Sequence, residues 1–504
     1  MFNLGVNMAR MKRILVLAMP VVIAMLTQTS INVVDTIFVG KLSPDLSIPG
    51  QAALGFSLPL LWAFGGSLSA LGIGAQVMTA RRYGAGDVEE SGQILTNGIV
   101  VATLSSILVS ILAWFLIPTL FSFLTQNDAV IELGVPYARF RIIGVISMVL
   151  TTIYKGFFDG LGKTKIHMYA AIVMNGVNIL LNYSLIFGFG PIPAMYVTGA
   201  AIASLISTFI GLFILMGWTF LPSVRKFKVY RPKNLNISTM WNLVKLSAPS
   251  GLAQVFIMGG VLMFLKIIAS LDTTHIQDML EQLHHASPAL ITSSNMFQHT
   301  VQSSSSVGQT LFLQDWSTTL MHTRPPVFTT AAKLIIDLLS IGFVTCIAFG
   351  TGTATLVSQA MGKKNYQEAS DFGWDSVKMS MYFYGALGLV IIVMPELFLD
   401  LLSDDHMVIK AAAPGLQIMA GLEMLIAMAL VLTQALFGAG ATRYVMVVEF
   451  LLHGLCLAPM AYLFAFVLDL GFLGVWLSGT LYVFLLALAM SVKFWRGSWT
   501  KIQV

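Results

Sequence analysis

Charge is scarce in this chain. Asp, Glu, Lys and Arg make up 10% of 504 residues, against roughly 25% in a soluble domain. A water-facing globular surface is therefore excluded, and the net charge of +5 gives no reason to expect a nucleic-acid partner. Cysteine is nearly absent as well. Cys346 and Cys456 both fall in apolar runs, which excludes a disulfide framework and a cysteine metal site. Catalytic signatures are missing too: there is no G-x-S-x-G, C-x-x-C or H-E-x-x-H, so hydrolase, redox and zinc-protease readings have no support. Gly162-Lys163-Thr164 ends like a phosphate-binding loop, but residue 157 is Phe where a glycine is required, and the triplet reads as a turn between helices. No enzyme activity and no cofactor are expected.

What fills the chain is apolar sequence, 57% hydrophobic with a mean hydropathy of +0.82. Runs long enough to cross a bilayer as helix recur near 13–40, 54–80, 94–121, 136–158, 166–190, 195–221, 243–271, 331–358, 373–400, 409–437, 444–467 and 471–496. They are continuous rather than alternating, which selects helices over a membrane barrel. The expectation is an all-α integral membrane protein of twelve transmembrane helices. The first run follows basic residues like a secretory signal but is too long and holds Pro20, Gln28, Asn32 and Asp35, so it reads as a retained first span. Arg10, Lys12, Arg13, Arg81, Arg82, Lys163, Lys165, the basic stretch 225–233, Lys363, Lys364, Arg443, Lys493, Arg496 and Lys501 share one side if spans alternate; Lys41, Arg324 and Lys410 take the other. The positive-inside rule then makes both termini cytoplasmic in a plasma (inner) membrane.

The chain also repeats itself. Gly74 and Gly352, Gly84 and Gly362, Glu90 and Glu368, Gly160 and Gly438, Gly162 and Gly440, and Thr164 and Thr442 are each 278 residues apart. The repeat predicts two six-helix lobes with a binding site between them: residues 1–221, a basic cytoplasmic linker at 222–242, and residues 243–504. Pro20 aligns with Pro249, 229 residues on, so 49 extra residues lie in an extracytoplasmic insert at about 272–327. Its opening, with Thr274 and Gln277 at capping-box spacing and Ile276, Met279, Leu280 and Leu283 on one face, reads as an amphipathic helix stopped by Pro288. Ser303 to Ser306 and Pro325-Pro326 read as loop. The insert holds His275, His284, His285, His299 and His322 without clustered ligand spacing. It reads as a polar loop, with a metal- or proton-sensing cap as the other interpretation.

A charge inside a bilayer costs about 2.5–3.5 kcal/mol at a helix centre, so each is a functional candidate. Asp35 leads: it lies inside the first span, seven residues after Gln28, with Asn32 between. Asn178 and Asn182 make a second polar stripe in the fifth span. A desolvated carboxylate here could exchange protons or, with amide oxygens beside it, hold sodium. Glu423, placed mid-way along the tenth span, is the leading acid of the second half. Asp337 and Glu449 fall nearer span ends.

Taken together, P-x-x-x-x-x-x-x-Q at 20–28, V-D-T-I-F-V-G-K-L at 34–42, V-T-G-A-A-I-A-S at 197–204 and the paired glycine segments resemble the multidrug and toxic compound extrusion (MATE) transporters over nearly the whole chain except the insert. The resemblance implies a V of two lobes around a central cavity with alternating access. It implies antiport of organic, often cationic and amphipathic compounds against protons or sodium, by a monomer. Asp35 and Gln28 match the family's acidic and amide positions in the first helix, and Asn178 its asparagine in the fifth. Asn182 stands where some members carry aspartate, leaving Asp35 the only deeply placed acid of the first lobe. Glu423 lies about a turn from the usual tenth-helix acid, and the seventh helix offers Gln254 but no carboxylate. A lipid-linked saccharide flippase is the alternative; Arg139, Arg141 and Lys266, read as lying near the outer ends of their spans, supply no obvious phosphate-binding cavity for it. A membrane sensor or enzyme built around the insert is the third reading.

Overall fold

A computed structural model describes residues 5, 7–125, 127–285, 327–403 and 405–502; within the helices the side chains of Ser30, Asn32, Thr273 and 275–285 are also outside the description. Among the described residues the regular secondary structure is helical. In chain order the long helices are α1 Met8–Gly40, α2 Pro44–Ala85, α3 Val88–Leu124, α4 Asp128–Gly160, α5 Thr164–Phe187, α6 Tyr196–Trp218, α7 Ile237–His285, α8 Val327–Gly362 and α9 Tyr366–Val393. Next come α10, whose halves His406–Gly421 and Glu423–Gly438 meet at 56°, then α11 Thr442–Val467 and α12 Gly471–Trp495. Eleven are long and apolar enough to span a bilayer, and α10 makes twelve if its halves form one broken span. The sequence places Glu423 in mid-helix; it is instead the first residue after this break.

The lobes have largely distinct cores, crossed at the junction by Leu243 and Leu246 of α7, which pack in that of the first lobe. One unites α2–α6 with Val224 and Phe227 of the connecting segment, around Phe121, Phe157 and Phe158; a smaller one joins Val39 of α1 to Ile186 and Val197. The other half buries Phe372, Phe494 and Trp499 in one cluster and Ile335, Leu416 and Trp476 in another. Lipid is as apolar as leucine, so burial supplies little drive for helix association within a bilayer and close approach of backbones matters more. Glycine provides it, in duplicate. A Cβ on Gly160 would sit 2.7 Å from the carbonyl oxygen of Gln76; on Gly438, 2.5 Å from that of Ala354, 278 residues along on both sides. The turns that follow, at Gly162 and Gly440, have φ of +75° and +81°, a left-handed conformation that glycine adopts without strain.

The two lobes form a V joined at the end that carries both chain termini. There the repeat becomes reciprocal: a Cβ on Gly84 would collide with the carbonyl of Gln359, and one on Gly362 with the carbonyl of Arg81. Gln76 Nε2 donates to Thr351 O and Thr355 Oγ1, both at 2.9 Å, and Gln359 Nε2 to Gly160 O at 2.8 Å. Arg81 donates to the carbonyls of Ala439 and Ile502. The start of α1 crosses over: Ile14 and Leu17 pack in the second lobe's core, Arg10 pairs with Asp371 at 3.0 Å and Asp375 at 2.5 Å, and Arg13 with Glu368 at 3.2 Å.

The basic segment after α6 is folded down rather than free. Phe227 is fully buried, and Tyr230 shares a 2.9 Å hydrogen bond with Tyr154. The sequence begins the insert as a separate amphipathic helix; the backbone shows α7 running on to His285. Pro288, the Ser303–Ser306 run, Pro325-Pro326, His299 and His322 lie outside the described residues, as do the side chains of His275, His284 and His285. Where the chain returns, buried Asp272 accepts from Phe328 N at 2.8 Å, Thr329 N at 2.9 Å and Thr329 Oγ1 at 2.7 Å, capping α8. Asp272→Ala removes this cap and is expected to cost about 1–2 kcal/mol, read as a lower unfolding temperature of the purified protein.

Candidate functional site in the first lobe

α1 brings Asp35 to the inner face of the first lobe, where it is 1% exposed. Its neighbours come from three other helices. Asn182 Nδ2 of α5 donates to Oδ1 at 2.7 Å, and Ser204 Oγ of α6 to Oδ2 at 2.7 Å. Asn178, one turn before Asn182, accepts from Asn182 Nδ2 at 3.1 Å and donates to Ser204 Oγ at 3.2 Å. The i,i+4 spacing of the two asparagines aligns them on one face of α5, and the small residues of α6 admit Ser204 against them. The Arg141 guanidinium of α4 lies 3.8 Å from Asp35 Oδ2. The carboxylate is thus held by two direct donors and faced by one cation, tying α1, α4, α5 and α6 together. Asn182 Oδ1 is buried without a hydrogen-bond partner.

This apolar V, with a buried carboxylate network in one lobe, can be set beside known proteins. The MatE family model matches residues 20–184 and 310–463. The chain belongs to the MatE family. Among curated relatives, a probable multidrug resistance protein NorM of Thermotoga maritima is 21% identical over 98% of this chain and 94% of its own length. The multidrug resistance protein PmpM of Pseudomonas aeruginosa is 28% identical over 49% of this chain and 51% of its own. A solved structure of a multidrug resistance MATE family transporter of the MOP superfamily, in an outward-facing conformation, superposes with a TM-score of 0.79 at 19% identity, covering 99% of this chain and 98% of that one. A MOP superfamily transporter from Pyrococcus furiosus, described as having a binding pocket of reversed polarity, follows at a TM-score of 0.75 and 20% identity, covering 98% and 95%.

Of the residues that the sequence singles out in this MatE protein, Asp35, Asn178 and Asn182 meet in the network. Gln28 lies two turns earlier on α1 with an exposed side chain, and the side chain of Asn32 is outside the described residues. Glu423 belongs to the other lobe. It is 3% exposed, with Oε2 unpartnered, and the Cβ positions of Gly342 and Gly388 would come within 3.5 Å of its Oε1 and 3.2 Å of its Cβ. Glycines on α8 and α9 therefore make the room it occupies.

Three sequence-based placements change. Arg141 is not at a span end: it is thirteen residues into the MatE protein's α4, its side chain 11% exposed, and it faces Asp35. Asp35 is not the only deep acid of the first lobe. Asp159 is fully buried at the lobe junction, neither carboxylate oxygen hydrogen-bonded, and its backbone carbonyl accepts from Thr355 Oγ1 at 2.9 Å. Glu449, placed near a span end, is 4% exposed between α11 and α12. Ser204 had a usable signal, as the last residue of the V-T-G-A-A-I-A-S segment. For Arg141, the signal was its own cost inside an apolar run, which demands a partner.

Proposed function

We propose that this MatE protein is a secondary antiporter that exports organic, often cationic and amphipathic compounds in exchange for a cation flowing inward, by alternating access of the cleft between its lobes. It works by binding and movement, with no covalent step. The observation that carries this reading is the buried Asp35 network, since a carboxylate that joins its own helix to three others of one lobe can translate ion occupancy into lobe geometry. The multidrug resistance names of its NorM and PmpM relatives support the substrate class.

Both a proton and sodium suit a carboxylate. The proton is favoured because Asp35 already receives Asn182 and Ser204 as donors and faces Arg141, an environment short of the several oxygen ligands that a hard cation takes. A proton arriving at Asp35 weakens its attraction to Arg141 and loosens α4 from α1. Differential affinity of ion and substrate for the two states then gives coupling. The protein acts as a monomer in the plasma (inner) membrane with both termini cytoplasmic. Residues 1–221 form one lobe, 222–242 a cytoplasmic linker, and 243–504 the other lobe, whose insert faces outside.

The test is export of a fluorescent organic cation from vesicles holding purified protein, under separately imposed proton and sodium gradients. Wild type is expected to follow the proton gradient and Asp35→Asn to lose at least tenfold in rate. Export by Asp35→Asn with unchanged gradient dependence would remove Asp35 from the coupling role.

A further inference from the structure

The second lobe holds a titratable cluster that the Asp35 network does not use. On α11, Glu449 Oε2 lies 3.0 Å from His453 Nδ1, and on α12 the Tyr482 hydroxyl reaches the same oxygen at 3.5 Å. The His453 and Tyr482 rings meet edge-on with centroids 4.7 Å apart. Glu449 and His453 are each 4% exposed. Among the described residues, Glu449 forms an ion pair with His453 and with no lysine or arginine. The local backbone is unusual as well: Leu452–Leu457 is π-helical, a widened turn that recurs at functional sites. Against it α7 presents Gly260, whose Cβ would lie 2.7 Å from His453 Cβ.

Charge counting shows what the cluster wants. With a neutral imidazole the trio carries one negative charge in an apolar lobe, which is costly without a partner; one added proton brings it to zero. A metal ion is a poor alternative, since no group of three His, Cys, Asp or Glu side chains that could hold one occurs among the described residues. The surrounding elements leave the balance unaltered. α11 adds Cys456, which faces Tyr482; Tyr444 bonds to Ala489 O and sits under Lys493, more than a turn away. α10 carries Glu423, placed against Gly342 and Gly388 on its far side. α7 carries Lys266 in a groove of about 340 Å³ that it shares with Gly454, Ala458 and Pro459. That groove reaches Gly454, the residue next to His453.

We propose that Glu449, His453 and Tyr482 form a second proton-binding site, in the lobe opposite Asp35. Its place in a transport cycle rests on the antiport reading above; proton binding itself does not. The fifth and sixth helices of each lobe thus contribute to a site: α11 and α12 hold this cluster, and α5 and α6 supply the donors to Asp35 of α1.

Potentiometric titration of the purified full-length protein in detergent, from about pH 5 to pH 9, tests it. The His453→Gln/Glu449→Gln double variant is expected to take up one proton fewer than wild type, whereas either single variant leaves one partner that can still accept the shared proton. Asp35→Asn should leave this proton in place. A double variant that loses two protons, or none, would overturn the proposal. Tyr482→Phe removes one weak hydrogen bond from a site that keeps its shape. It is expected to move the pH midpoint of export; an unmoved midpoint counts against the site. Should wild type export nothing while the shared proton is still found, the antiport reading fails and the site stands.

Discussion

Valine at Gly362, or at Gly84, is expected to force the lobes apart at the end where they now meet. Each glycine lies against a carbonyl of the opposite lobe, Gly362 on Arg81 and Gly84 on Gln359, so close that even one methyl group collides with backbone. Backbone carbonyls cannot rotate away as a side-chain end can, and overpacking of this kind costs about 1–3 kcal/mol. At 1.4 kcal/mol per factor of ten, the closed arrangement becomes roughly tenfold less populated or worse. Spin labels at positions 13 and 368, where Arg13 and Glu368 now pair, should report a longer and broader separation, and export should fall by a similar factor. The two variants should resemble one another, because each breaks the repeat-related copy of the same contact. A wild-type distance distribution in both would show that the junction has slack that the structure does not reveal.

The second large effect concerns the charge pair in the first lobe. Arg141→Met leaves Asp35 buried with its two neutral donors but without its cation, and removing one partner of a buried pair costs about 3–5 kcal/mol. Asp35→Asn/Arg141→Met removes both charges and should recover most of that loss, since an apolar or neutral replacement of a whole pair is near neutral. Thermal unfolding in detergent checks the order: Arg141→Met well below wild type, the double variant close to it. Equal losses in both would mean that Arg141 acts by packing. The stable double variant also serves transport, because its failure to follow a proton gradient cannot be blamed on misfolding.

Much of the architecture is legible in the sequence, for identifiable reasons. A charge in a lipid-facing chain is expensive enough to stand out, so Asp35 was visible alone, and the four-residue spacing of Asn178 and Asn182 announced a shared face. Ser204 and Arg141 were harder because what makes them matter is proximity across helices, which local spacing does not carry. The bend in α10 was missed: Gly421 is a weak breaker within an apolar run, and no proline marks the site. Glu449 was misplaced because distance to a span end says little about burial between two packed helices. The insert's histidines lie beyond the described side chains, and the metal-or-proton cap stays an expectation from composition.

The junction between the lobes is held by two kinds of contact with opposite responses to the surroundings. The glycine–carbonyl contacts are steric and indifferent to the medium. The pairs of Arg10 with Asp371 and of Arg13 with Glu368 are partly solvated, with Arg13 49% exposed, and such pairs weaken as ionic strength rises. Anionic lipid headgroups at that face can compete for the same two arginines. The closed form therefore has a fixed component set by shape and an adjustable one set by the local electrolyte, so its lifetime will depend on salt and on the lipid it is reconstituted in.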